Sequence, residues 1–434
     1  MNFCDTVMSG RAGVSDLAGV AIGSSLWVPV FTGINGIILA VTPIVAHLLG
    51  ANAVNKIAPK VHQGIYLAII LGVILTIIGA LLLDPVLQLM SLEKEVSYIA
   101  KYYLVTLGAG IIPLFIFNTI RSFMDALGQT RISMIIMLIA LPINIVLNYI
   151  FIFGKFGIPA LGGVGSGVAT ALTYWLVCLF SIILCYRLKV LQPFKVFKMM
   201  SFPKVGEWLE QLKIGIPIGF AIFFETSIFS AITLLMSVYN THTIAAHQAA
   251  INFSALLYMI PLSIGMALTI AVSYEAGAKR IKHAQTYTYL GISSGIIVAI
   301  FAGFILYTLN GPIAALYNSN PAVIELTKQF IIYAIFYQLA DAIAAPIQGV
   351  LRGYKDVNMT LIIALVSYWA VGLPTGWVLA NYTALEPFGY WVGIITGLST
   401  GAIALLARMI YIQRKFAKPD TKQPIQSTRM SESS

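Results

Sequence analysis

Residues 62–83 read HQGIYLAIILGVILTIIGALLL, a run with no Asp, Glu, Lys or Arg and dominated by Leu, Ile, Val, Ala and Gly. A helix of about 20 such residues matches the hydrocarbon thickness of a bilayer. Lipid offers the backbone no hydrogen-bond partner, so a spanning segment must satisfy its own N–H and C=O groups. Runs of this kind recur along the chain, parted by short clusters of Lys, Arg, Gly, Pro and Asn. After a short apolar start, spans are expected at 20–49, 62–83, 97–120, 132–153 and 165–186. Beyond a polar stretch at 187–213, further spans are expected at 214–238, 244–275, 285–308, 322–347, 359–380 and 390–412, before a Lys-, Gln-, Ser- and Thr-rich tail at 413–434. Counting the start as one span, the fold class is an all-α integral membrane protein of twelve transmembrane helices.

Composition agrees. Of 434 residues 59 % are apolar and 10 % charged, against about 25 % charged in soluble domains, and the mean hydropathy is +0.89. A water-soluble enzyme and an intrinsically disordered chain are both excluded. Three cysteines give neither a disulfide framework nor metal-ligand spacing; Cys178 and Cys185 read as small apolar fillers. The tail at 413–434 reads as disordered.

The net charge of +10 suggests nucleic acid until its location is checked. Lys56, Lys60, Arg121, Arg131, the 187–213 linker, Lys279, Arg280, Lys282, Arg352, Lys355 and the C-terminal end all fall on one side of the expected membrane, 21 of 26 basic residues. Arg11, Lys94, Lys101, Lys155 and Lys328 fall on the other. The bias places both termini in the cytoplasm. The charge is a topology signal, and no nucleic-acid partner is expected.

A shift of 227 residues lays 40–101 on 267–328 without gaps, pairing Thr42 with Thr269, Gly50 with Gly277, Gly64 with Gly291, Pro85 with Pro312 and Lys101 with Lys328. Leu141-Pro142 and Leu373-Pro374 correspond at nearly the same offset. Six spans per half is an even number, so the halves share one orientation. Their expected relation is a pseudo-twofold along the membrane normal, as in secondary transporters. The expected organisation is an N-terminal six-helix bundle at 1–186, a basic cytoplasmic linker at 187–213 and a C-terminal six-helix bundle at 214–412.

Acids are rare inside the spans. Asp5, Glu225 and Asp341 are the exceptions, the last two near mid-span, and no Lys or Arg reads as lying within a span core beside them. A charge there costs about 2.5–3.5 kcal/mol on insertion scales. Such a group is protonated, faces water or holds a cation, and each option describes an ion or proton pathway. Tyr337 lies one helical turn before Asp341; Asn144 and Asn148 are one turn apart just after Pro142. A packing or interfacial role is expected for His47 and His247, and interfacial belts for Trp27, Trp208 and Trp391. Phe223 and Phe224 suit an aromatic cavity wall or simple packing. No phosphate-binding loop and no catalytic cluster is present in the sequence, so the chain does not read as an enzyme.

Read in order, these segments resemble the multidrug and toxic compound extrusion (MATE) family, and its NorM-type bacterial branch in particular. The first half offers Asp5-Thr-Val-Met-Ser-Gly10, Arg121-Ser-Phe-Met-Asp-Ala-Leu-Gly-Gln-Thr-Arg131, Pro142-Ile-Asn-Ile-Val-Leu-Asn-Tyr-Ile-Phe-Ile-Phe-Gly154 and Gly162-Gly-Val-Gly-Ser-Gly-Val-Ala-Thr170. The second offers Phe223-Phe-Glu225, Ala245-Ala-His-Gln248 and Leu351-Arg-Gly-Tyr-Lys-Asp356.

The resemblance implies two bundles around a V-shaped cleft and alternating access. Amphipathic organic cations would be exported in exchange for Na+ or H+, with no cofactor beyond that coupling ion. It implies a C-lobe cation site at Glu225, Asp341 and Tyr337. The implied N-lobe polar cluster is Asp5, Asn144, Asn148 and Thr170, with asparagine at 148 where some relatives have aspartate. Two acids plus a phenol lean towards Na+; the competing reading is a coupled pair sharing one proton. The expected setting is a bacterial inner membrane, with drugs and membrane lipid as partners and a monomer as the assembly. A lipid-linked oligosaccharide flippase of the same superfamily and a membrane-embedded enzyme are the alternatives. Met1–Gly10 is too short to cross a bilayer, which predicts an incomplete first helix and about twenty further residues upstream.

Overall fold

A computed structural model describes residues 2–90, 92–198, 200–317 and 320–417. Among them are fifteen α-helical segments and no strand. The first half contains α1 (Asn2–Ala12), α2 (Val14–Ile38), α3 (Val41–Gly50), α4 (Ile57–Leu89), α5 (Lys94–Gly108), α6 (Ile111–Ala126), α7 (Thr130–Phe153) and α8 (Gly163–Arg187). The second contains α9 (Val205–Leu235), α10 (Thr241–Gly277), α11 (Ile281–Tyr317), α12 (Pro321–Gly353), α13 (Val357–Ala364), α14 (Leu373–Tyr382) and α15 (Pro387–Ala417). Between α13 and α14 the helix widens to a π form over Leu365–Gly372.

Ten runs are long and apolar enough to span, with α2 and α3 joined and α13 to α14 joined. The pair α5 and α6, bent by 49°, makes an eleventh. The short α1 occupies the twelfth position. Helices overrun the expected spans, as where 62–83 lies inside α4, because backbone hydrogen bonding continues past the last lipid-facing residue. α9 likewise begins at Val205, well inside the expected 187–213 linker, and α15 carries helix through Ala417. The tail is therefore helical over 413–417 rather than disordered from 413; residues 418–434 lie outside the described residues.

The chain folds as two lobes, α1–α8 and α9–α15, which meet chiefly through α2 against α9 and α3 against α10. The meeting of α3 and α10 is reciprocal. A Cβ on Gly50 would collide with the Tyr274 carbonyl oxygen, and one on Gly277 with the His47 carbonyl oxygen. These four positions are related by the 227-residue shift, so the internal repeat reappears here as a twofold contact. Gly36 meets Gly219 further along the same seam. Small residues let helix backbones approach where lipid supplies no hydrophobic drive between helices. On the side of the basic loops, Lys60 of α4 pairs with Glu207 and Glu210 of α9, and Gln211 donates to the Lys60 carbonyl at 2.9 Å. The linker is tied down as well: Gln63 donates to the Phe202 carbonyl at 2.8 Å and accepts from the Lys204 N–H at 2.9 Å. Lys355, in the loop after α12, is largely enclosed at this end. Burial pushes its ammonium pKa down, opposed by Glu210 and reinforced by Lys60.

Two expectations fail on burial. Trp391 is 1 % exposed and donates to His247 Nδ1 at 3.1 Å, and Trp27 is also buried, so neither belongs to an interfacial belt. Their partners on other helices cover them, which hydropathy along one helix does not report. Arg352, counted above as a loop residue, lies instead in the last turn of α12, past the expected span 322–347, and is buried. His247 does pack as expected, wholly enclosed between Thr233 and Trp391. Cys178 and Cys185 are buried in the first lobe's apolar core.

Candidate functional site

In the second lobe, α9, α10 and α12 bring Glu225, Tyr258, Tyr337, Asp341 and Gln348 together. Tyr258 Oη donates to Glu225 Oε1 at 2.8 Å, and Gln348 Nε2 donates to Glu225 Oε2 at 3.3 Å. Glu225 is 8 % exposed and Asp341 2 %. The three residues expected as a C-lobe cation site are thus neighbours, with the Tyr337 hydroxyl within reach of the Asp341 carboxyl. Asp341 Oδ2 and Gln338 Oε1 are buried with no hydrogen-bond donor. They lie three residues apart on α12, a spacing that puts them on one face. Unpaired buried acceptors beside two acids are what a hard cation or a shared proton satisfies. Among the described residues no group of three His, Cys, Asp or Glu side chains is arranged to hold a metal ion; an alkali cation here would draw on tyrosine and glutamine oxygens as well.

The π stretch completes this wall. Pro374 has no N–H to return to the carbonyl one turn earlier, and the backbone just before it is wound one residue wider. Tyr368 lines a gap beside Glu225, together with Phe229 and Ile394. Trp369 Nε1 donates to the Phe224 carbonyl at 3.1 Å, fixing α9 just before the acid. Phe224 packs edge-on against that Trp369 ring and against Phe223.

Glu225 faces a cleft of about 460 Å³ between the lobes. α2 contributes Thr32 and Asn35, with Leu39 just after its end; the second lobe adds Phe229, Tyr258, Met259, Met266, Tyr337, Arg352 and Trp391. The walls are mainly apolar, with four aromatic rings and two methionines among aliphatic side chains, and carry one acid and one base. Asp341 stands behind this lining rather than in it.

In the first lobe all four expected residues converge from three helices. Asn148 Nδ2 donates to Asp5 Oδ1 at 2.7 Å, and Thr170 Oγ1 to Asp5 Oδ2 at 3.0 Å. Asn144 Nδ2 donates to Thr170 Oγ1 at 3.1 Å and its Oδ1 accepts from Asn148 at 3.2 Å. Each of the four is at most 1 % exposed. Asp5 is therefore held by two donors, while Asn148 Oδ1 and the nearby Ser9 Oγ have none.

Sequence reasoning missed Tyr258, Gln338, Gln348, Arg352 and the π turn. Pro374 was the one signal available for the turn. Tyrosine and glutamine are common in helices, and nothing in their spacing separates these from the others.

The MatE family model matches residues 1–150 and 217–378. A protein of Oceanobacillus iheyensis named "Probable multidrug resistance protein NorM" is 69 % identical over 415 residues, 96 % of this chain and 93 % of that one. A Bacillus subtilis protein of the same name is 52 % identical over 418 residues, 96 % of this chain and 92 % of its own. Among solved structures, the eukaryotic MATE transporter AtDTX14 superposes with a TM-score of 0.84 at 22 % identity, over 96 % of this chain and 93 % of that one. The Vibrio cholerae MATE transporter VcmN in its bent form gives 0.85 at 20 % identity, over 96 % and 92 %. At these identities the structural likeness speaks for the fold.

Proposed function

This chain belongs to the MatE family of multi-pass membrane transporters, and from that premise we propose that it exports amphipathic organic cations in exchange for Na+ by alternating access. Multidrug resistance is the activity in the names of its relatives at 69 % and 52 % identity, and the chain is a multidrug efflux transporter rather than an enzyme. The observation that carries the exchange is Glu225, an acid on the wall of a mainly apolar cleft that holds four aromatic rings and two methionines, with Asp341 close behind. Flat cationic drugs suit such a wall.

The unpaired acceptors Asp341 Oδ2 and Gln338 Oε1 favour an ion that takes several oxygens over a proton that takes one. In this reading, a cation entering at Glu225 and Asp341 neutralises them and stabilises a packing that holds drug poorly. The drug leaves outward, the lobes rock, and the low Na+ of the cytosol lets the ion go. The membrane potential adds about 2.3 kcal/mol per charge per 100 mV to the inward step. The lobes are closed on the side of the basic loops, by the Gly50–Gly277 crossing and the Lys60 ion pairs. The positive-inside bias assigns that closed side to the cytoplasm. The two six-helix lobes are the moving bodies, with 188–204 as the cytoplasmic strap between them.

The test is drug efflux from proteoliposomes under separately imposed Na+ and H+ gradients. Efflux rising saturably with Na+ at constant pH is expected. Efflux that ignores Na+ and follows the pH gradient would replace Na+ by H+ on the same residues.

A further inference from the structure

α12 carries a charge that the cation site does not use. Arg352 is 7 % exposed and takes part in none of the ion pairs found among the described residues. One hydrogen bond is made by its side chain, from Nη2 to Gln348 Oε1 at 3.1 Å. The same Gln348 turns its Nε2 to Glu225 Oε2 at 3.3 Å. The amide therefore stands between base and acid, accepting from Arg352 through Oε1 and donating to Glu225 through Nε2. Arg352 also lines the 460 Å³ cleft that Glu225 faces.

A guanidinium keeps its proton under all ordinary conditions, and burying one without a counter-ion costs several kcal/mol. Its planar fork of five N–H donors is the group best matched to a carboxylate or another small anion. With Gln348 taking one donor, the remaining capacity has no acceptor among the described residues. A cleft that presents a carboxylate and, one glutamine away, an unpaired guanidinium matches a ligand bearing both signs.

We infer that Arg352 is an anion subsite at the end of the cleft nearest the basic loops, taking a carboxylate or a small inorganic anion while the ligand's cationic part faces Glu225. The assignment rests on the reading of this cleft as the drug site and narrows it: acids bearing a cationic group are bound through two points, and their esters through one.

Rhodamine 110 carries a free carboxylate, and rhodamine 123 is its methyl ester, so the pair differs at that group alone. Their binding to the purified full-length protein is read by fluorescence polarisation in low-chloride and chloride-containing buffer. In low chloride the wild type is expected to hold rhodamine 110 about tenfold more tightly, the value of one charge-assisted hydrogen bond. R352Q is expected to abolish that preference, read as the ratio of the two dyes' dissociation constants in the variant. Chloride separates the two sources of the anion. If the ligand's own carboxylate fills the subsite, chloride leaves rhodamine 123 unchanged; if an inorganic anion does, chloride strengthens rhodamine 123, and R352Q removes that response. Should R352Q fail to fold, R352K, which keeps the charge and loses the fork, is expected to narrow the preference for rhodamine 110 over rhodamine 123. A wild type with neither a preference nor a chloride response, or an R352Q protein that keeps the wild-type preference, overturns the subsite. Failure of the wild type to bind either dye overturns the reading of the cleft and the subsite with it.

Discussion

At the scale of single residues, Asp5 in the first lobe and Glu225 in the second are both buried but held differently. Glu225 has Tyr258 and Gln348 as donors and an open cleft before it, whereas Asp5 is enclosed by Asn148 and Thr170. Glu225→Gln and Asp341→Asn are each expected to abolish ion-coupled efflux in proteoliposomes while the protein still inserts and purifies. Normal uphill transport by either variant would remove that residue from the cation site. Tyr258→Phe deletes a hydrogen bond to a carboxylate, worth about 1.5–3 kcal/mol. Its expected effect is a shift of about tenfold or more in the ion concentration giving half-maximal efflux; an unchanged midpoint would make the contact incidental. Asp5→Ala strands the Asn148 amide and the Thr170 hydroxyl in a fully buried place. A loss of about 1–3 kcal/mol is expected, read as a lower melting temperature in detergent.

At the scale of elements, the seam between α3 and α10 depends on the absence of two side chains. Gly277→Leu would set a branched side chain against the His47 carbonyl, and overpacking of this kind costs about 1–3 kcal/mol. The closed basic side is the state that suffers, so the population shifts towards opening there. Spin labels on the ends of α3 and α10 are expected to move apart in the variant, and unchanged distances would separate this crossing from the gate. The sequence paired Gly50 with Gly277 as matching positions of a repeat. That each touches the partner of the other became visible only when the helices were crossed. The π turn before Pro374 is similar: proline marks where the hydrogen-bond ladder is interrupted, but which side chains the wider turn delivers depends on α9 packing beside it.

At the scale of the whole molecule, basic residues gather at one end of both lobes. Cysteines introduced at Lys198 and Lys282, with Cys4, Cys178 and Cys185 replaced, are expected to react with an impermeant maleimide only when cells are opened. Labelling of intact cells would invert the topology. The spans and the repeat were legible in the sequence, because lipid imposes its demand on each helix separately and leaves it written as an uninterrupted apolar run. So were Glu225, Asp341 and Asp5, since an acid in such a run stands out against its immediate neighbours. The resemblance to a known family supplied Tyr337, Asn144, Asn148 and Thr170 as a set, which spacing alone did not. Arg352 was misread because it stands four residues before the Asp356 turn and its burial is decided by the helices around it. Trp391 was misread for the same reason. Hydropathy along a chain reports what one helix needs from lipid, and so it determined the fold class and the expensive positions. Which polar groups meet, which acceptors are left without donors and which charge faces the cleft depend on contacts between helices far apart in sequence, and only the tertiary structure decided those.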